Sequence, residues 1–177
     1  MLRFGKVDLE ILEHLREKLA DIFKNLFVEI QIIDTIEEIP ANSYDQARNQ
    51  YLSPLFMVAI RNYAEEYGFS KVLGITAFDL FIYELNFVFG QAEFGSEARA
   101  AVISLCRLYP EFYRQESNKD LFLIRSVKEG IHEIGHTFGL KHCKNNCIMV
   151  FSNNLMDTDK KPAAFCDRCQ KKLFGKD

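Results

Sequence analysis

The chain has 177 residues, 48% of them hydrophobic, and a formal charge of -3 at pH 7. That length supports one ordinary core and little more, so a single domain over residues 1–177 is expected. A weakly acidic balance gives no general pull toward nucleic acid or an anionic membrane, and neither is expected as a partner.

The first residues, MLRFGKVDLEILEHLREKL, break their apolar positions with charges every few residues, unlike a signal-peptide core. No apolar run nears membrane-spanning length, and the expectation is a cytoplasmic monomer. In a reducing compartment the five cysteines read as metal ligands or core residues rather than disulfides.

Leu2 to Val7 is a strand candidate, followed by Asp8 as an N-cap and by Leu12, Leu15, Leu19, Ile22 and Phe23 on one helix face. VEIQIID, 28–34, alternates as a strand should, and the polar segment from Thr35 to Tyr51 reads as a mobile loop. A helix is predicted from Ser53 to Tyr67, stopped by Gly68. Three strands then follow in KVLGITAFDLFI (71–82), NFVFGQAEF (86–94) and ARAAVISLCRL (98–108). Strand–helix units call for parallel pairing, and the later close spacing for an antiparallel one, giving an α/β fold, α+β-like, on a mixed sheet of about five strands.

After this upper part (1–118), one long helix is predicted over 119–140, with Ile124, Val127, Ile131, Ile134 and Phe138 as its buried stripe. The last part (141–177) is irregular to Lys161, after which Pro162 is expected to open a short helix carrying CDRC. The lysines at 160, 161, 171, 172 and 176 read as a solvated face.

Metal chemistry concentrates in HEIGHTFGLKHC. On a helix His132 and His136 differ by about 40° around the axis and about 6 Å along it, so both can grip one ion. Gly139 falls where the helix must reverse through a left-handed residue, which can return His142 as third ligand. Three neutral nitrogens leave a zinc position open for water, the mark of a catalytic site. Glu133, beside these ligands, can take a proton from that water and pass it to a leaving amine.

Cys143 and Cys147, then Cys166 and Cys169, carry the spacings of a four-cysteine site, a closed shell expected of a structural zinc. Cys143 in place of His142 on the first ion is disfavoured, because an anionic sulfur lowers the metal's acidity and strands Cys147. Two zinc ions per chain are thus expected.

The full HExxHxxGxxH run resembles the signature of the metzincin metallopeptidases, and its junction with CIM and CDRC resembles the archaemetzincin branch. The resemblance implies a metzincin-type twisted sheet above the active-site helix and a methionine turn beneath the metal at Met149. It also implies an antiparallel edge strand along the cleft at Asn86 to Gln91, with Phe87, Val88, Phe89 and Gly90 bordering substrate. Phe151 stands where several metzincin branches have a tyrosine. The implied function is a zinc metalloprotease acting on a peptide or protein, and the alternative is a peptide- or protein-binding protein that keeps the fold and the zinc with little or no proteolytic activity. The sequence leaves endopeptidase and aminopeptidase open.

Overall fold

The computed structural model describes residues 1–26, 29–95 and 97–175. A short first strand, β1 (Leu2–Phe4), feeds helix α1 (Leu9–Phe23), which buries Ile11, Leu12, Leu15, Leu19 and Phe23. Of the expected 28–34 strand, residues 29–34 form none, and Val28 lies outside the described residues. Instead β2 (Ile36–Glu37) pairs in parallel with β1 just beyond it.

The polar 35–51 segment is not simply a loop. It contains β2 and the hairpin of β3 (Tyr44–Asp45) and β4 (Gln50–Leu52), where Asn49 takes the left-handed conformation that asparagine tolerates. Helix α2 (Ser53–Glu66) follows with Pro54 in its first turn, and Gly68 at φ 72° ends the reversal.

Residues 71–82 form two strands, β5 (Val72–Thr76) and β6 (Leu80–Ile82), in different sheets. Side chains bend the backbone between them. Thr76 donates its hydroxyl to the Phe4 carbonyl (3.1 Å) and accepts the Phe78 N–H (3.2 Å), while Ser104 donates to the Phe78 carbonyl (2.6 Å). Residues 86–94 divide likewise into β7 (Leu85–Val88) and β8 (Gly90–Ala92).

With β9 (Ala100–Ser104), the larger sheet runs β2-β1-β5-β9-β8, parallel except for antiparallel β8, and the smaller runs β3-β4-β6-β7. The mixed sheet with an antiparallel edge is as expected, and the second sheet is an addition.

Strands β5 and β9 are buried along their whole lengths because helices cover both faces. Leu73, Ile75, Ala101 and Ile103 meet α1 and the long helix α3 (Lys119–Thr137), whereas Val72, Ala100 and Val102 meet α2. Two 3-10 turns, Cys106–Leu108 and Pro110–Tyr113, lead to α3. There Asn118 caps the first turn by accepting the Leu121 N–H at 3.0 Å.

Every residue of α3 from Arg125 to Gly135 is buried, so this helix runs through the molecule rather than along its surface. Ile124, expected in the buried stripe, is 49% exposed, and Phe122 is buried instead. The chain closes with α4 (Leu155–Lys160) and α5 (Asp167–Phe174). Pro162 does not open α5; Cys166 stands at its N-cap. No helix among the described residues is long and apolar enough to cross a membrane.

Gly74 marks the tightest sheet–helix approach, since a Cβ there would stand 2.4 Å from Ile60 Cδ1. Gly74→Val should destabilise the fold by about 1–3 kcal/mol through overpacking, read as a lower urea midpoint. An unchanged midpoint would contradict this packing.

Candidate metal centres

Helix α3 delivers His132 and His136 one turn apart, and their Nε2 atoms lie 3.1 Å from each other. Both Nδ1 atoms face backbone carbonyls, that of Ile148 at 2.9 Å for His132 and that of Leu140 at 2.7 Å for His136. Each Nδ1 must therefore carry the ring proton, which leaves two bare Nε2 lone pairs pointing at one another. Such a pair is repulsive unless a cation lies between them.

The chain reversal supplies the third nitrogen. Gly139, at φ 78°, donates to the His136 carbonyl (2.8 Å), and Leu140 donates back to Gly135 (3.1 Å). The same turn brings the Leu140 carbonyl under His136 and carries His142 to the cluster, where the ligand atoms of all three histidines lie within 4.8 Å of one another. Tetrahedral nitrogens about 2.0–2.1 Å from one zinc stand about 3.4 Å apart, so the set is of the right size.

Burial holds the His132 imidazole well below its ordinary pKa, with Lys161 and His136 adding to the effect. His136 is lowered to about 4, again chiefly by burial. Both are neutral at pH 7, the form that binds metal.

The second cluster gathers Cys143, Cys147, Cys166 and Cys169, all free thiols, with ligand atoms within 4.8 Å of one another. The Cys143 and Cys166 sulfurs are 3.8 Å apart, close to the separation of about 3.8 Å across a tetrahedral zinc–thiolate site. Backbone Cys166 N–H and the Asn145 amide point at Cys147 and Cys166 sulfurs, at 3.3 and 3.5 Å. The two clusters share a turn, because Cys143 N–H donates to the Met149 carbonyl at 2.8 Å. The C-terminal helix adds a further tie, from Lys172 Nζ to the Gly139 carbonyl at 2.7 Å.

Met149 is fully buried against the histidine helix. A Cβ on Gly135 would meet its sulfur at 2.7 Å, which places the thioether beside the turn between His132 and His136.

Glu133 is 6% exposed and faces the edge strand across Gly90, where a Cβ would stand 2.6 Å from its Oε1. Burial raises its carboxyl well above the usual range, reinforced by Glu129 and opposed by Lys161. Of the expected edge residues, Phe87 and Val88 lie in β7, Phe89 at the bend and Gly90 in β8. Phe89 C=O and Glu93 N–H bond to β9, so the alternate residues Gly90 and Ala92 turn their backbone groups toward the cleft. Phe151 stacks obliquely on His142, with ring centroids 4.9 Å apart.

Two buried charges beside the site are not evident from motifs. Lys161, expected in a solvated face, is 4% exposed and forms an ion pair at 2.9 Å with Glu129. Glu129 lies one turn before Glu133 on α3, and this i,i+4 relation is the only signal for it in the sequence.

A buried single-helix HExxH pair, a third histidine across a glycine reversal and a four-thiol cluster define a zinc metallopeptidase. The sequence profile of Peptidase family M54 matches residues 6–174. Archaemetzincins from Methanocaldococcus jannaschii and Pyrococcus furiosus are 43% and 39% identical, each over 96% of this chain and 88% of the relative. A crystal structure of archaemetzincin from Archaeoglobus fulgidus, complexed with malonate, superposes with a TM-score of 0.82 at 34% identity, covering 97% of this chain and 98% of that one. A zinc-dependent peptidase from Methanocorpusculum labreanum gives 0.83 at 29% identity, covering 97% of both chains. The chain belongs to the archaemetzincin family of metzincin-clan zinc metallopeptidases.

Gly90→Ala should leave both metals bound but push Glu133 aside, lowering turnover by about 10- to 100-fold, as displacements near 1 Å do. Zinc analysis alongside kinetics checks this, and unchanged turnover would contradict it. For the metal-free protein, the unfolded chain takes up protons near pH 6.5 while folded His136 resists until about 4. Buried His132 acts in the same direction and buried Glu133, whose carboxyl is raised, in the opposite one, so in metal-free Glu133→Gln stability should fall as pH drops through that window, and a flat urea midpoint there would contradict the burial described.

Proposed function

We propose that His132, His136 and His142 hold the catalytic zinc, that Cys143, Cys147, Cys166 and Cys169 hold the structural one, and that Glu133 is general base and then general acid. The observation that carries this is the pair of facing, unprotonated Nε2 atoms 3.1 Å apart, with Glu133 seated beside them under Gly90. Zinc, when bound, supplies Lewis acidity at the scissile carbonyl and acidifies the attacking water.

The Glu133 carboxylate receives a proton from the attacking water and returns it to the leaving amine nitrogen. Gly90 and Ala92 offer backbone groups on which an extended substrate adds as a strand. Met149 floors the site, and residues 1–177 act as one metallopeptidase domain. A cytoplasmic setting, where thiols stay reduced, suits the four-cysteine metal site.

Internal cleavage is the mode the cleft favours. The amine half of the scissile bond must lie by Glu133, so the acyl half lies toward His136 and His142. On that side an open cleft of about 580 Å³ runs past Ala92 to Phe94 and Lys141, and among the described residues Glu133 is the only carboxylate lining it. Glu93, next in the chain, is turned away and satisfied by Arg61 and the Arg99 and Ala100 N–H groups. Among the described residues a free substrate α-ammonium finds no second carboxylate to anchor it there and meets Lys141 instead.

Zinc-loaded protein should therefore cut N-acetylated peptides at least as well as their free-amine forms, read by mass spectrometry. Cleavage restricted to free N-termini would make it an aminopeptidase. Glu133→Gln should lose at least about 100-fold in turnover with two zincs retained, whereas His136→Ala should lose only one zinc; equal turnover in Glu133→Gln would remove the assigned base.

A further inference from the structure

The open cleft on the acyl side carries a cation without a counter-ion. The histidines aside, Glu133 and Lys141 are the only ionisable side chains lining it among the described residues. Glu133 is buried against Gly90, whereas Lys141 is exposed at the rim. The Lys141 ammonium stands 6.0 Å from the centroid of the Phe94 ring, itself 54% exposed. Among the described residues it enters no ion pair.

An exposed lysine is ordinarily no more than a solvated one. Lys141 differs because its backbone is held to the metal-binding turn. Leu140, just before it, donates its N–H to the Gly135 carbonyl at 3.1 Å and gives its own carbonyl to His136 Nδ1 at 2.7 Å. His142 follows it directly, and Cys143 N–H is bonded to the Met149 carbonyl at 2.8 Å. The ammonium therefore cannot stray further from the histidines than its own stem allows. Phe94 comes from the opposite wall, two residues past the end of β8, so cation and ring approach each other across the rim.

A peptide added to Gly90 and Ala92 advances about 3.3 Å per residue, so its acyl half reaches this rim about two to four residues before the scissile bond. Side chains alternate along an extended chain, and only one or two of those positions point at Lys141. A glutamate there rests its methylenes on Phe94 and its carboxylate on the ammonium. A lysine there meets like charge, which a metal ion at the histidines reinforces.

We infer that Lys141 is a specificity-determining residue that, with Phe94, selects an acidic side chain about two to four residues before the scissile bond. The inference deepens the reading of this cleft as the path of an internally cleaved peptide, and it rests on that reading.

The test uses zinc-loaded protein and N-acetylated peptides of one internally cut sequence, with Glu, Gln or Lys placed in turn at each of the positions before the cut. At one or two positions Glu should exceed Gln in kcat/KM by about 3- to 10-fold and Lys should fall below both, the advantage shrinking as ionic strength rises. Kd values for the uncut peptides on zinc-loaded Glu133→Gln should follow the same order. Lys141→Glu, at matched zinc content, should reverse it. Equal Glu and Gln values at every position, or a preference that survives Lys141→Glu, would overturn the assignment while leaving the peptidase reading intact. Failure of every peptide to be cut or bound, with two zincs confirmed, would overturn that reading and the inference with it.

Discussion

The site depends on one arrangement: two imidazoles on adjacent turns of a buried helix, each with its Nδ1 fixed by a backbone carbonyl and its Nε2 directed at the other. Neither carbonyl belongs to a regular element. The Leu140 carbonyl comes from the glycine reversal after α3 and the Ile148 carbonyl from the turn before Met149, so ligand orientation is set by the irregular segment that ends in the four-cysteine cluster. Backbone partners of this kind fix the tautomer and hold the ring before any metal arrives. A structural metal at Cys143, Cys147, Cys166 and Cys169 thereby braces the catalytic one through shared backbone rather than shared ligands.

Burying α3 on all sides has an electrostatic cost, and the 155–161 segment offsets it. Arg125 makes a two-point pair with Asp159 at 2.7 Å, Lys128 donates to the Thr158 and Asp159 carbonyls, and Glu129 takes Lys161. Removing one partner of such a buried pair costs far more than the pair itself contributes. The segment after Met149 is thus pinned to the helix that carries His132 and His136.

Most of the site could be read from the sequence because its ligands are local. The i,i+4 histidines, the glycine that must adopt positive φ, and the paired cysteine spacings are dictated by chain geometry within a few residues. Long-range features were not legible. The division of 71–82 rests on Thr76 and Ser104 hydroxyls bonding distant carbonyls, and that of 86–94 on one stretch bordering two sheets. Residues 29–34 have a strand's alternation but form no strand, because pairing on that edge of β1 falls to Ile36 and Glu37. Lys161 looks solvated in a lysine-rich tail, and only a carboxylate 32 positions earlier makes its burial tolerable.

Nitrogen and sulfur ligands are segregated onto two separate ions. Zinc-edge X-ray absorption would test this segregation, comparing the two-zinc wild type with His136→Ala. The wild type should show a mixed shell, with sulfur at about 2.3 Å and nitrogen or oxygen at about 2.0–2.1 Å, and the single zinc retained by the variant a shell of sulfur alone. Nitrogen persisting in the variant's remaining shell, or loss of both ions together, would contradict it.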